Sequence, residues 1–413
     1  MAHPAVVIED VFDKYRRDYL FHFSRLLNRV LIEPEMIQIM LTNRCNIKCK
    51  ICNVWKQDCG EEMTTDVIKR LIDQAIAMGI KTIYMTGGEA FLRKDIFELI
   101  DYAARPGIIT TVNTNGSFIT DRFAKKIVSS KLRNINFSID GVTAKVHDAI
   151  RGEGVFEKAL KAIASINYYK KMLQRDDPSK EGHLDVSLTS VITKANITEL
   201  VELLTLAEKL HCCFVCFQPL VDNGNLLESL SLKTEFWIGE EDIPRLEEAF
   251  NELGQLKRSR SLGLDFDFMP EKTILHFRRQ RAVNTCFAGF TRIFVNPKGD
   301  ISFVCFPSFG NTKVEPLQQV WLSQKAFATR GQLKSCAVNC TQFCSERPHS
   351  DAIQEIHRRL RQEIQSLSAA DQDGIIAHER SFLQLVSASI ASADIAADEK
   401  TQALHDIEQA LCI

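Results

Sequence analysis

The stretch EMIQIMLTNRCNIKCKIC, residues 35–52, decides the fold and the chemistry of this chain. Its first part, Glu35–Leu41, is mostly apolar and predicts a strand. That strand runs into three cysteines, Cys45, Cys49 and Cys52, which are separated by three and then by two residues. Thiolates are the usual ligands of iron–sulfur clusters, and four of them normally close a [4Fe–4S] site. A set of three leaves one iron without a protein ligand, and an open coordination position is where a metal site does chemistry.

Two other interpretations of the cysteine run stay open, a zinc knuckle and a set of buried free thiols. The run contains no histidine, and no fourth cysteine lies at the short spacing of a zinc site. Both features favour the iron–sulfur interpretation.

Composition and charge exclude several classes of function. The 413 residues carry a formal net charge of −2, so there is no basic footprint for a nucleic acid. The N-terminus lacks a secretory signal, and no apolar stretch approaches the roughly 20 residues needed to span a bilayer. Thirteen cysteines without an export signal indicate metal ligands in a reducing compartment rather than disulfides. We therefore predict a cytoplasmic protein.

From residue 36 onward, predicted strands alternate with predicted helices. The strands are Glu35–Leu41, Lys81–Met85, Ile108–Val112, Asn134–Ile139, Leu184–Val191 and Phe214–Phe217. Six consecutive βα units imply parallel strands with right-handed crossovers. They are too few for a closed eight-fold barrel and fit an open, partial (βα)6 TIM-like barrel, in which chemistry collects at the carboxyl ends of the strands. Asn196 and Glu199 have the spacing of a capping box at the start of the helix predicted between the fifth and sixth strands.

In the predicted domain organisation, the α/β barrel occupies residues 36–262. Residues 1–35 have the apolar spacing of a packing helix, with a membrane-surface helix as the alternative. Residues 263–345 predict a small cysteine-rich auxiliary domain with a β-hairpin around Asn296-Pro297-Lys298-Gly299-Asp300. Residues 346–413 predict C-terminal helices that close the barrel or form a homodimer contact.

The cysteine run resembles the CxxxCxxC signature of the radical S-adenosylmethionine (radical SAM) enzymes. Further motifs follow in the order found in that family, and the resemblance covers about residues 36–345. These motifs are Gly87-Gly88-Glu89, Thr114-Asn115-Gly116, Ser138-Ile139-Asp140-Gly141, and His147-Asp148 with Arg151-Gly152. The resemblance implies that Cys45, Cys49 and Cys52 hold a [4Fe–4S] cluster whose open iron binds S-adenosyl-L-methionine (SAM). Reductive cleavage of SAM would then release a 5′-deoxyadenosyl radical.

The same resemblance implies roles for residues around SAM. The backbone of Gly87 and Gly88, together with the Glu89 carboxylate, would meet the methionine amino group. The methionine carboxylate would be held by Ser138 and Arg151, and Asn115 would lie near the ribose. Taken singly, these motifs have plainer interpretations: the glycine pair is a tight turn, Asp140-Gly141 is a β-turn and Arg151 is a surface charge.

Five further cysteines form a second group, Cys286, Cys305, Cys336, Cys340 and Cys344. This group resembles the SPASM/twitch class of C-terminal extensions, which bind auxiliary [4Fe–4S] clusters. Five cysteines are fewer than the seven of a two-cluster SPASM domain, so we expect one auxiliary cluster, with Cys336 as the spare cysteine. A structural zinc site with four thiolates is the alternative.

These features predict a radical SAM enzyme that abstracts hydrogen from a C–H bond of a peptide or peptide-like natural product. The auxiliary cluster would assist electron transfer or substrate binding, and a flavodoxin- or ferredoxin-type protein would be the reductant. Two alternatives stay open. One is a dehydrogenase or epimerase of a small molecule such as a sugar or a cofactor precursor, and the other is a non-catalytic iron–sulfur or zinc scaffold. Residues 1–35 are too few for a separate leader-peptide-binding domain, which counts against a peptide substrate.

Overall fold

One sheet of ten strands forms the framework of the protein. The computed structural model describes residues 4–177, 179, 183–221, 235–259, 261–280, 286–303, 306–334, 356, 358, 360, 362, 384–393 and 395–411. The strands in these residues are β1 (Met36–Met40), β2 (Thr82–Thr86), β3 (Ile109–Thr114), β4 (Asn134–Ser138), β5 (Asp185–Ile192), β6 (Phe214–Pro219), β7 (Asp265–Asp267), β8 (Arg292–Val295), β9 (Asp300–Ser302) and β10 (Gly310–Asn311).

The strand order is β10-β9-β8-β1-β2-β3-β4-β5-β6-β7. Strands β1 to β6 lie side by side in chain order and are parallel, which confirms the predicted βα units. Strand β7 adds to β6 and strand β8 adds to β1, both in parallel. Among the described residues no pairing joins β7 to β8, so the sheet is an open, partial barrel.

The two added parallel strands come from the range that the sequence assigns to the auxiliary domain. Each is short, and each covers an edge of the six-stranded sheet that would otherwise expose unpaired backbone groups. The hairpin predicted around Asn296–Asp300 is confirmed, since β8 pairs with β9 antiparallel. The domain boundaries themselves stay a prediction.

The helices cover the outer face of the sheet and follow the strands in the predicted order. They are α1 (Pro4–Leu27), α2 (Thr65–Ala77), α3 (Ile96–Ala103), α4 (Asp121–Ser129), α5 (Ala144–Arg151), α6 (Val155–Asp176), α7 (Leu200–Lys209), α8 (Ile243–Ser259), α9 (Pro270–Phe277), α10 (Ala288–Thr291), α11 (Leu317–Trp321) and α12 (Gln324–Lys334), followed by a C-terminal helix over Ala397–Leu411. Helices α2 and α4 have threonine N-caps, since the hydroxyls of Thr64 and Thr120 accept from backbone N–H groups of the first turn.

The capping box predicted at Asn196 and Glu199 is wrong. The Asn196 side chain caps no helix; its Oδ1 accepts from Thr193 N at 2.7 Å and its Nδ2 donates to Asp140 O at 2.8 Å. Glu199 instead accepts from Val142 N at 2.7 Å. Both side chains join the carboxyl ends of neighbouring strands, and sequence spacing alone cannot reveal such tertiary partners.

The N-terminal helix is a packing helix, as predicted. Tyr19 and Phe23 of α1 are fully buried in a second apolar cluster with Phe287 and Phe290, and residues of the C-terminal helical region, Ile356 among them, belong to the same cluster. Ends of the chain that are distant in sequence therefore share one core. No helix in the described part of the chain has the length and apolar character needed to cross a membrane.

Candidate active site

The three cysteines of the run line one cavity at the carboxyl ends of the parallel strands. The cavity has a volume of about 140 Å³. Residues from the ends of β2, β3 and β4 and from α5 complete its wall. Its lining residues are Cys45, Ile47, Cys49, Cys52, Val54, Trp55, Gly87, Gly88, Asn113, Thr114, Asn115, Ser138 and Arg151. The structure thus brings together eight of the nine residues that the sequence assigned to the core cluster and SAM; the exception is Glu89.

The pair Gly87-Gly88 follows β2 and packs against the loop that contains the three cysteines, residues 41–52, here called the cysteine loop. Gly88 N donates to Thr42 O and Glu89 N donates to Arg44 O, both at 2.8 Å. A Cβ atom on Gly88 would lie 2.3 Å from Arg44 O, a distance that no packing can accommodate. Glycine is therefore required here for the close approach of two backbones.

Burial makes the thiol form of two of these cysteines, Cys45 and Cys49, more favourable. It raises the pKa of Cys49 to about 12 and also raises the pKa of Cys45, while the nearby charge of Arg151 opposes the rise at Cys49. A bound metal supplies the positive charge that deprotonates such thiols. In the described part of the chain, no three His, Cys, Asp or Glu side chains lie close enough together to hold a single metal ion. A [4Fe–4S] cluster binds its thiolates at separate irons, so a ring of cysteines around a cavity fits this group.

Arg151 contributes a buried positive charge to the cavity wall. Its Nε donates to Asp140 Oδ2 at 2.6 Å, and Asp140 Oδ1 accepts from Val191 N at 2.8 Å. Burial opposes the charge on Arg151, but the Asp140 carboxylate and the Cys49 thiol outweigh it and raise the pKa of Arg151. The bond to Asp140 uses one of the five guanidinium N–H donors, which leaves donors for an anion in the cavity.

Glu89 does not line the cavity, and its contact with the methionine amino group stays a prediction. Its side chain is buried behind the cavity wall and is absent from the cavity lining. The carboxylate accepts from Thr114 Oγ1 at 3.0 Å, from Asn115 N at 2.9 Å and from Phe91 N at 3.2 Å. Burial raises the pKa of Glu89 to about 7, although these donors favour the charged form. In this arrangement Glu89 positions the end of β3 against the glycine pair.

Two polar groups and one aromatic residue of the site were missed by sequence reasoning. Asn46 and Ser117 form hydrogen bonds with Asn115 beside Cys45. Trp55 lines the cavity and donates from Nε1 to Cys49 O at 3.3 Å. Two of these residues could have been found from their position in the sequence, because Asn46 follows Cys45 directly and Trp55 follows Cys52 by three residues.

The second cysteine group is described only at Cys286. This cysteine is half-buried, and its carbonyl oxygen accepts from Arg25 Nε of α1 at 3.2 Å. The remaining four predicted ligands lie outside the described residues: Cys305, Cys336, Cys340 and Cys344.

Comparison with known families agrees with the fold and the site. Residues 39–169 match the Radical SAM superfamily, and residues 286–344 match SPASM, an iron–sulfur cluster-binding domain. The chain therefore contains a radical SAM domain and a SPASM domain, which confirms the resemblance and the expected cofactors. A radical SAM domain binds a [4Fe–4S] cluster and SAM, and a SPASM domain binds auxiliary clusters. The SPASM match begins at Cys286 and ends at Cys344, the first and last cysteines of the second group.

Among curated proteins, the mycofactocin maturase MftC of Mycobacterium tuberculosis is 33% identical over 183 residues, 44% of this chain and 44% of the maturase. The chain thus matches less than half the length of this relative. An AdoMet-dependent heme synthase of Nitratidesulfovibrio vulgaris is 24% identical over 318 residues, 71% of this chain and 80% of the synthase.

Among solved structures, Streptococcus suis SuiB bound to S-adenosylmethionine superposes with a TM-score of 0.58 at 18% identity. The superposition covers 75% of this chain and 73% of SuiB. SuiB bound to its precursor peptide SuiA gives a TM-score of 0.57 at 17% identity, covering 75% of this chain and 72% of that one. At these identities the likeness establishes the fold.

Proposed function

We propose that this protein cleaves SAM reductively and uses the resulting 5′-deoxyadenosyl radical to abstract hydrogen from a C–H bond of a peptide or peptide-like natural product. One observation carries the proposal: three free thiols and the Arg151 charge line the same cavity at the carboxyl ends of the barrel strands. Chemistry in this architecture collects at that edge of the sheet. A non-catalytic scaffold has no need of an anion-binding arginine beside the thiols.

Six residues of the cavity have assigned roles in this proposal. Cys45, Cys49 and Cys52 would hold the cluster, which when bound supplies an open iron and the electron for SAM cleavage. Arg151 and Ser138 would hold the methionine carboxylate, since a guanidinium pairs well with a planar anion. Gly88 lets the backbone approach SAM closely, and the buried walls exclude water from a reactive radical.

A second cavity offers a place for the substrate. It has a volume of about 490 Å³, lies between the cysteine loop and the β8–β9 hairpin, and shares Val54 with the thiol cavity. Asn43 lines it and is buried; its Nδ2 donates to Asp58 O at 2.9 Å, while its Oδ1 has no hydrogen-bond partner within the described residues. A buried acceptor of this kind suits a peptide N–H. Peptide modification is also supported by the maturase relative and by SuiB, which was solved with a precursor peptide.

A small-molecule substrate is the second candidate. It is favoured by the match to the heme synthase, which covers 71% of this chain and so includes more than the radical SAM domain. Heme is a small-molecule cofactor, and this candidate corresponds to the predicted action on a cofactor precursor. Turnover assays with a precursor peptide and with a porphyrin as competing substrates would separate the two candidates.

The SPASM domain would hold one auxiliary cluster that accepts an electron from the substrate or binds it. A flavodoxin or ferredoxin would reduce the protein in the cytoplasm, and the C-terminal helices would form a homodimer contact. Anoxic reconstitution should give about eight irons per chain for two [4Fe–4S] clusters. Zinc at the second site would instead leave about four irons and about one zinc.

SAM cleavage tests the proposal directly. The reconstituted protein, reduced with dithionite and given SAM, is expected to form 5′-deoxyadenosine, measured by chromatography. A Cys45→Ala/Cys49→Ala/Cys52→Ala variant should form none. Cys59→Ala is the matched control, because Cys59 is close in sequence and does not line the thiol cavity. Cleavage by the triple variant would show that the ligand assignment is wrong.

A further inference from the structure

The orientation of one amide in the cavity wall is fixed by its neighbours. Asn115 is buried at the end of β3, and its Oδ1 accepts from Ser117 N at 2.8 Å and from Ser117 Oγ at 2.6 Å. A backbone N–H can only donate, so rotating the amide by half a turn would set its NH2 group against that N–H. The Asn115 Nδ2 is therefore directed toward the cysteine loop.

Three side chains complete a closed ring of hydrogen bonds at this place. Ser117 Oγ donates to Asn115 Oδ1, Asn115 Nδ2 donates to Asn46 Oδ1 at 3.0 Å, and Asn46 Nδ2 donates to Ser117 Oγ at 2.9 Å. Each member both gives and receives a hydrogen bond, so the ring holds its members in one arrangement. Asn46 and Ser117 thus act as positioning residues for the Asn115 amide.

The same Asn115 nitrogen lies beside a thiol of the cysteine run. Its distance to Cys45 Sγ is 3.9 Å, within the range of a hydrogen bond to sulfur. An amide nitrogen carries two hydrogens. One hydrogen is donated to Asn46 Oδ1, and the second is available for Cys45 Sγ.

We propose that Asn115 donates an N–H···S hydrogen bond to the Cys45 thiolate and thereby raises the reduction potential of the cluster held there. This inference rests on the proposed function, because it requires Cys45 to be a cluster ligand. Hydrogen bonds to cluster sulfurs tune reduction potentials. A reduced cluster carries more negative charge on its sulfurs than an oxidised one, so a donor stabilises the reduced form more. The hydrogen bond would make the cluster easier for the protein reductant to reduce, and it would lower the driving force for the later electron transfer from the cluster to SAM.

The test is a redox titration of the full-length, reconstituted protein. The titration is monitored by electron paramagnetic resonance (EPR), using the cluster signal that changes when SAM is added. Asn115→Leu removes the donor and keeps the number and branching of side-chain heavy atoms, and its midpoint potential is expected to shift to more negative values. Asn113→Leu is the matched control, because Asn113 lines the same cavity and its Oδ1 accepts from Asn136 at 2.8 Å. This control should keep the wild-type midpoint.

Proton spectroscopy gives a second readout that does not depend on turnover. Electron–nuclear double resonance in H2O and in D2O should show an exchangeable proton coupled to the cluster in the wild type and in Asn113→Leu, and its loss in Asn115→Leu. If Asn115→Leu does not load a cluster, Asn115→Ala decides, because it removes the same donor with a smaller side chain; a negative shift is again expected.

A loaded Asn115→Leu or Asn115→Ala variant with the wild-type midpoint and an unchanged proton coupling would overturn the inference. A wild-type protein with no SAM-responsive signal would instead overturn the proposed function. The two failures are therefore distinguishable.

Discussion

The Nε of Arg151 lies 2.6 Å from Oδ2 of Asp140, and this buried pair joins the start of the β4–α5 loop to the end of α5. Asp140 also accepts a hydrogen bond from Val191 N of β5, so the β4–α5 loop, α5 and β5 meet at one carboxylate. The pair holds the Arg151 charge at the cavity, where the proposal requires it to meet the SAM carboxylate. Its disruption should therefore affect both stability and SAM binding.

Replacement of Asp140 by Asn is the first prediction. Removing one partner of a buried ion pair leaves the other charge uncompensated, and we expect a loss of about 3 kcal/mol in the free energy of unfolding. With Arg151 no longer held, SAM affinity should fall about tenfold, which corresponds to about 1.4 kcal/mol. Urea denaturation measures the first effect and equilibrium dialysis with SAM measures the second.

The Arg93–Asp95 pair provides the control for that experiment. It has a similar length of 2.7 Å, its arginine is buried to a similar extent, and neither residue lines the thiol cavity. Asp95→Asn should destabilise the protein with SAM affinity unchanged. Equal losses of SAM affinity in both variants would contradict the role assigned to Arg151.

Gly88→Ala is the second prediction. The added Cβ would lie 2.3 Å from Arg44 O, so the glycine turn must move away from the cysteine loop. We expect a fall of at least about tenfold in SAM cleavage together with a lower iron content, measured per chain after reconstitution. Gly263→Ala is the control, since its nearest neighbour would be a side-chain atom of Glu208 at 3.4 Å. Normal cluster loading and cleavage in Gly88→Ala would show that the close approach is not required.

The parts of the site that were predictable from the sequence are those set by local patterns. The thiols of Cys45, Cys49 and Cys52 follow a strand, and the carboxyl ends of parallel strands meet at one edge, so the cavity could be anticipated. The position of Glu89 could not, because its partners Thr114 and Asn115 come from a different strand and attract the carboxylate away from the cavity.

The positions of β7 and β8 in the sheet also could not be predicted from the sequence. Strand β7 has three residues and strand β8 has four, too short for a periodic pattern to assign them to the barrel. Their place depends on pairing with β6 and β1, which lie far away in sequence. Asn196 likewise had the right spacing for a helix cap, but buried backbone groups near Asp140 offered it better partners.

The third prediction concerns the core shared by the two ends of the chain. Phe23 of α1 is fully buried against the cluster that contains Phe287, the residue after Cys286. Phe23→Ala should cost about 3–5 kcal/mol in the free energy of unfolding, because it removes a large buried side chain and leaves a cavity. Leu26→Ala, on the same helix and 48% exposed, should cost less than about 1 kcal/mol. Similar losses in urea denaturation for both variants would show that α1 is not anchored through Phe23.

The fourth prediction is a pH dependence of stability that originates at Glu89. Burial raises the pKa of this carboxyl from 4.5 to about 7 in the folded protein. The folded state therefore keeps the proton at pH values where the unfolded state has released it. Stability from this group is fully present below about pH 4.5, declines as the pH rises and is lost above about pH 7. The difference between the two pKa values corresponds to about 3 kcal/mol.

Glu89→Gln isolates this contribution, because glutamine keeps an acceptor for the Asn115 N–H and does not titrate. The difference in the free energy of unfolding, wild type minus Glu89→Gln, should decrease by about 3 kcal/mol between pH 4.5 and pH 7 and stay level above that. Glu98→Gln, at an exposed side chain, should show no such decrease. If the difference in the free energy of unfolding, wild type minus Glu89→Gln, instead rises with pH, the hydrogen bonds from Thr114, Asn115 and Phe91 outweigh the effect of burial on the pKa of Glu89. The carboxylate would then be charged in the folded protein throughout this range.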